Sequence, residues 1–215
     1  MKIYKKTSTT STEFKKWFGD WEDPKAFTSR RKEPSSFAID EDGKPKVFFH
    51  GTRENFSEFE AGSPGFNSNV FGSWQTNRHG IFFTPDPSHA NAFTVQGGEA
   101  QGGNIMPVYL DMKSPLDFRS WIGDDTLDEF EKEGINPRWL LRFSGFHLDG
   151  EDGKNFVEAA KRLGYDGIIF YDENPETNET MESWVVFDPY QIKSAIGNAG
   201  TFSPENKSIT ANSKV

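Results

Sequence analysis

Three separated groups of residues in this chain could do chemistry. His50 stands in Phe49-His50-Gly51-Thr52 at the predicted end of a strand. An imidazole there sits beside a glycine whose backbone, with no Cβ in the way, a flat ligand can approach closely. Phe82 lies in Gly80-Ile81-Phe82-Phe83-Thr84, and Phe93 follows eleven residues later. A strand leading into a helix can bring two such rings to the sides of one slot, which suits a planar aromatic ligand stacking offset. Glu179 and Glu182 precede the apolar run Trp184-Val185-Val186-Phe187, so a carboxylate stands at the mouth of a strand. Each group has an ordinary counterpart: a capped His-Gly turn, two core rings, a solvated surface acid. Their occurrence together and in this order carries the information.

Other chemistries find little support. The histidines are His50, His79, His89 and His147, with no HExxH, and there is no cysteine, which excludes thiolate metal sites, disulfides and a cysteine nucleophile. No metal is expected. The glycine-rich stretch Gly97–Gly103 lacks a following Lys-Ser/Thr and precedes a strand, so it reads as a loop and not a phosphate cradle; GxGxxG and GxSxG are absent. With 24 Lys+Arg against 33 Asp+Glu the net charge is −9, which disfavours a phosphate backbone as partner. The one dense basic stretch, Arg30-Arg31-Lys32 beside Lys25, reads as a solvated N-terminal face. A mean hydropathy of −0.71 and short apolar runs leave no segment for a bilayer span. Aromatics make up 15 %, with 21 Phe and 6 Trp, enough for a compact core because each buried ring removes much apolar area from water. Met1–Lys6 lacks the apolar run of a secretory signal, and the expected location is cytoplasmic, of the producing cell or of a target cell if delivered.

The elements that must position these groups follow from pattern. Phe14, Trp17, Phe18 and Trp21 mark one face of a helix capped by Ser11 or Thr12, a docking face. Strands are predicted at 46–50, 80–84, around Val108-Tyr109-Leu110, 167–171 and 183–187. Helices are predicted at 88–93 with Ser88 near the cap, at 124–134, and at 152–163 closed by Gly164. Segments 61–73 and 96–104 read as mobile loops and the last dozen residues as frayed. Short strands mixed with short helices, without regular βαβ alternation, give an α+β class. The divisions are an N-terminal helical extension over 1–35, a catalytic domain over 36–202 and a flexible tail over 203–215.

Taken together, the motifs resemble the His-Tyr-Glu class of ADP-ribosyltransferases, which includes the poly(ADP-ribose) polymerases and diphtheria toxin. The likeness is closer to transferase domains of phage polyvalent proteins and bacterial toxins. It rests on Trp17-Phe18-Gly19-Asp20-Trp21, on Asp42-Gly43-Lys44-Pro45 leading to His50-Gly51-Thr52, and on Gly80–Thr84. Gly164-Tyr165-Asp166-Gly167-Ile168-Ile169 adds to it, as does Val185-Val186-Phe187-Asp188-Pro189 with Gln191-Ile192-Lys193-Ser194-Ala195, spanning 14–202 in all. The last of these motifs is the specific one. The resemblance implies an ADP-ribosyltransferase-like fold of split antiparallel and mixed sheets with short flanking helices and an N-terminal helical extension.

It also implies NAD+ as co-substrate and roles residue by residue. His50 would bond the hydroxyl of the ribose attached to nicotinamide, and Gly51 would pair its backbone with the carboxamide. Phe82 takes the place of the class tyrosine, keeping a ring and losing a hydroxyl. Phe93 matches the second stacking aromatic, and Thr52 and Ser183 complete the set of residues expected to bind the NAD+. Counting back from Asp188, the polymerase glutamate falls on Ser183, one residue after Glu182. A bulge or turn at the strand entrance could aim Glu182 inward as the acid, with Glu179 the alternative. The implied activity is mono-ADP-ribosyl transfer to a protein acceptor by a phage or bacterial effector or toxin; the alternatives are an NAD+ glycohydrolase and a non-catalytic binding module. The acidic loop 172–181 suits an acceptor with a basic surface; a membrane is not expected, and nucleic acid is disfavoured.

Overall fold

A computed structural model describes residues 7–23, 35–61, 64–65, 76–96, 99–100, 103–140, 148–173, 179–200 and 202–210. The basic stretch at 25–32, His147, residues 174–178 and residues 211–215 lie outside them. The N-terminal aromatic stripe folds as expected: α1 (Thr12–Phe18) is capped by Ser11, whose Oγ accepts from the Phe14 N–H at 3.2 Å. It ends at Gly19, whose φ of 99° favours glycine. Phe14, Trp17 and Phe18 are buried, and Phe14 meets Tyr109 at 5.3 Å and Phe202 at 5.1 Å. The stripe therefore docks on the chain's own sheet, inside the same apolar cluster as Phe48, Leu110 and Trp184.

Two sheets form the body. The first is antiparallel, with β1 (Phe48–Thr52) beside β7 (Asn104–Leu110) and β7 beside β11 (Ile192–Ser194). The second runs β4 (Ile81–Phe83), β10 (Thr180–Val186), β9 (Gly167–Glu173), β8 (Pro115–Asp117), with only β8 and β9 parallel. The crossover between those parallel strands carries α3 (Asp124–Lys132), α4 (Pro137–Leu140) and α5 (Gly150–Arg162), as a parallel connection requires. Phe130 and Phe156 from these helices pack with Ile168, Phe170 and Val185, so one face of the second sheet is covered by helices. Its other face, with Ile81, Phe83, Ile169, Trp184 and Val186, joins the cluster under the first sheet. This is the α+β class, with the split antiparallel and mixed sheets that the motifs imply.

Several predicted elements shift. β1 begins two residues later than expected and takes in Gly51 and Thr52, while β10 begins at Thr180. The cap of α2 (Pro87–Asn91) is Asp86, not Ser88: its Oδ1 accepts from the Ser88 N–H at 2.8 Å. Of the segments read as loops, that at 61–73 holds β2 (Pro64–Gly65), which pairs with β3 (Thr76–Asn77), and that at 96–104 holds β6 (Glu99–Ala100), which pairs with β5 (Val95–Gln96).

Residues from 203 to 210, read as tail, are tied down. Ile209 is buried, its N–H donates to the Ser57 carbonyl, and its own carbonyl accepts from Ser194 N–H and Asn198 Nδ2. The buried Lys193 Nζ donates to the carbonyls of Asn206 and Ser208, and burial pulls its pKa down to about 8. The specific C-terminal motif thus has a structural reason. Gln191 Nε2 bridges the carbonyl of Asp111, after β7, and that of Asp166, before β9, at 2.8 and 2.9 Å. One amide therefore fastens the two sheets where the chain passes between them.

Candidate active site at the sheet seam

Among the described residues, one two-residue bridge joins the two sheets near β1. Phe49 N–H donates to the Thr84 carbonyl at 2.8 Å and Thr84 N–H to the Phe49 carbonyl at 3.0 Å. In an antiparallel ladder successive residues turn their N–H and C=O to alternate edges. Phe49 therefore faces Thr84 and stands opposite Pro107, which has no N–H to offer; Phe48, His50 and Thr52 face β7. Gly51 turns its N–H and C=O to the same edge as Phe49. Continuing the bridge register would set Gly51 opposite Phe82. The sheets part there instead, and no described residue bonds Gly51 across the gap. A peptide donor and acceptor are left side by side at the seam, the pair that a carboxamide can satisfy.

His50 closes the parting. Its Nδ1 lies 2.8 Å from the Phe82 carbonyl, the group the broken ladder would have given to Gly51. A carbonyl only accepts, so Nδ1 carries the proton and Nε2 is an acceptor, with no bond to any described residue. The ring is enclosed by Phe59 at 5.0 Å, Phe83 at 5.5 Å and Phe56 at 6.2 Å. Desolvation by these rings lowers its pKa, the Phe82 carbonyl offsetting part of the effect, so the imidazole is neutral at pH 7.

The glycine beside it serves a different end from the expected one. A Cβ on Gly51 would lie 1.8 Å from the Ala90 carbonyl oxygen and 3.1 Å from Phe93 Cβ. The missing side chain seats α2 against β1, and it is Gly51's backbone edge, not its open face, that is available. The same packing places Phe93 beside Gly51; its half-buried ring has no aromatic partner among the described residues. Phe82 points the other way from Phe83. Arg78 lays its guanidinium 4.6 Å from the Phe82 ring centroid, and Phe170 meets that ring edge-on at 6.4 Å. Phe82 and Phe93 are not ring partners of one another. Thr52 ends β1, its Oγ1 accepting from the Glu54 N–H.

The acids divide sharply. β10 pairs with β9 one residue to one from Thr180–Glu173 to Val186–Gly167, so the bulge expected at its entrance does not occur. Without it Glu182 shares the face of Trp184 and Phe83, the face against which His50 packs, and Ser183 lies on the other with Phe82 and Phe170. Ser183 is 3 % exposed. Glu179 is exposed and precedes the strand. Glu182 Oε1 accepts from Arg119 at 2.9 Å and from the Trp184 indole N–H at 2.5 Å.

Arg119 is in turn forked onto Asp117, Nε to Oδ1 at 2.9 Å and the second amino group to Oδ2 at 2.7 Å. Burial raises the Asp117 pKa, but the Arg119 fork and backbone N–H outweigh it and hold the carboxyl below its ordinary value. Sequence reasoning did not find Arg119, Asp117 or the Trp184 donor. The one available signal was an arginine two residues after a carboxylate at a strand end. Among the described residues no group of three or more His, Asp or Glu could hold a metal ion, and no helix is long and apolar enough to cross a membrane.

A family model described as ADP-ribosyltransferase in polyvalent proteins matches residues 40–202, from the turn before β1 to Phe202. Neither a curated protein nor a solved structure matches the chain. The matched span contains both sheets, the seam at Gly51 and the Glu182 network, and the chain belongs to the family of ADP-ribosyltransferase domains found in polyvalent proteins.

Proposed function

We propose that this domain is a mono-ADP-ribosyltransferase of the His-Tyr-Glu type, with Phe82 in the tyrosine's place, acting as an effector on a protein acceptor. The observation that carries the reading is the parting of the sheets at Gly51, which leaves a peptide N–H and C=O beside a neutral imidazole and the Phe93 ring, which meets no other ring among the described residues. Nicotinamide would place its carboxamide on Gly51 and its ring against Phe93. The Nε2 lone pair of His50 would accept the hydroxyl of the adjoining ribose. Family members use NAD+ as co-substrate.

In the reaction the bond between the nicotinamide nitrogen and the ribose C1′ breaks, and its electron pair leaves with neutral nicotinamide, so no strong acid is needed. Positive charge develops on the ribose, as in glycoside cleavage. The Glu182 carboxylate holding a ribose hydroxyl stabilises that charge more in the transition state than in the ground state. The acceptor's nucleophilic atom then bonds to C1′ and releases its proton. Asp172 and Glu173 at the end of β9 and Glu179 just before β10 suit an acceptor with a basic surface met in a cytoplasm. One observation favours a second reading, a non-catalytic nicotinamide-binding module: the position matching the polymerase glutamate is the buried Ser183.

The test is incubation with NAD+ labelled in the adenylate, beside candidate acceptor proteins and host lysate. Label on a protein band, lost in Glu182→Gln, supports transfer. Free ADP-ribose without labelled protein would make the domain a glycohydrolase, and intact NAD+ under all conditions would leave the binding module.

A further inference from the structure

Both donors that hold Glu182 fall on one oxygen. Arg119 and the Trp184 indole each bond Oε1, while Oε2 makes no hydrogen bond to a described residue and the side chain keeps 24 % exposure. Arg119 is itself immobilised. Its Nε and one amino group grip Asp117, its backbone N–H donates to Asp117 Oδ1 at 3.0 Å, and its guanidinium lies 5.7 Å from the Trp184 ring centroid. Trp184 is fixed from below by Phe48 at 4.7 Å, on the strand and the face that carry His50. A carboxylate on an unbulged strand could swing among rotamers; this one is pinned through one oxygen, with the other left open.

We infer that Arg119 and Trp184 are positioning residues for Glu182, saturating Oε1 so that Oε2 alone is presented to the ribose hydroxyl. The inference rests on the transferase reading above. Asp117 takes two of the three hydrogen bonds made by the guanidinium group. It thereby orients the fork and spends part of its positive charge, so Arg119 steers Glu182 without cancelling the negative charge the transition state requires. Preorganisation of this kind acts on the chemical step more than on substrate affinity.

The test is steady-state NAD+ consumption by the full chain, with kcat and KM measured separately for wild type, Arg119→Gln, Arg119→Lys and Trp184→Phe. Arg119→Gln should lower kcat about 10–100-fold with KM within about threefold, and Arg119→Lys should recover part of the loss. Trp184→Phe keeps a ring against Phe48 and removes only the N–H; it should lower kcat about 3–10-fold, the net scale of one hydrogen bond. If Arg119→Gln melts well below wild type, Trp184→Phe decides. An unchanged or raised kcat in the folded variants, or a loss carried by KM alone, overturns the inference and leaves the transferase reading standing. A wild type that consumes no NAD+ with acceptor proteins and lysate present removes both.

Discussion

At the seam, His50, Gly51 and Phe93 are set by backbone geometry and apolar packing: a broken ladder, a carbonyl seated where a Cβ would be, three phenyl rings around an imidazole. On β10, Glu182 is set by charge, through a guanidinium 63 residues earlier in the chain and an indole two residues later. On the proposed reading the first side would hold a neutral planar group and need shape. The second would meet a charge that exists only during reaction, and would need a carboxylate held still. Substitutions at the seam should therefore act on binding or folding, and substitutions around Glu182 on turnover.

The largest expected effect breaks the charged side. Glu182→Gln keeps shape and removes charge; it should lower kcat about 10²–10³-fold, roughly 3–4 kcal/mol of transition-state stabilisation, with little change in the melting temperature. Glu179→Gln, by contrast, should leave turnover near wild type in the same NAD+ assay. Gly51→Ala breaks the packed side. Its Cβ meets backbone, which cannot swing away, and denaturant unfolding should show a loss of about 2–3 kcal/mol together with loss of nicotinamide binding.

A smaller effect separates affinity from rate. His50→Ala should weaken NAD+ binding about tenfold by titration calorimetry, roughly 1.4 kcal/mol. Because the ring stays neutral in the fold, affinity should be flat from pH 8 down to the ordinary histidine value of about 6.5, falling only below it.

The smallest effect is on stability and lies away from both sides. Burial raises the Asp111 carboxyl to about 7, against the pull of Lys113. Between its ordinary value and 7 the folded chain holds a proton that the unfolded chain has lost, so stability falls as pH rises through that window. His50, with its lowered pKa, works in the opposite sense: stability falls as pH drops below about 6.5, where the unfolded chain gains the proton. Asp111→Asn should therefore raise stability by about 1–2 kcal/mol at pH 8 and very little at pH 4, read from urea midpoints.

What was legible in the sequence follows the same divide. The α1 stripe, the strand around Val108 and the apolar run of β10 declare themselves because their periodicity is local. His50, Gly51 and Phe93 were singled out because a strand and the turn after a short helix carry them in short motifs. The Asp117–Arg119–Glu182 network was not found, since ion pairs across strands have no period and leave only scattered charges in a chain that is already 27 % charged. The expected bulge failed for a related reason. Register belongs to the partner strand, and β9 continues to Glu173, supplying a partner for every residue of β10. The C-terminal motif was recognised, but its meaning was not: Gln191 and Lys193 act as fasteners between segments that only the fold brings together.

The central claim is that nicotinamide sits at the parting of the sheets, on the free peptide edge of Gly51. Titration of nicotinamide alone into the 15N-labelled chain tests it without needing an acceptor or turnover. The account predicts saturable shifts at the Gly51 amide and its neighbours His50 and Phe93, with the Arg119 side chain unmoved. Shifts absent from Gly51, or confined to residues elsewhere, would contradict it.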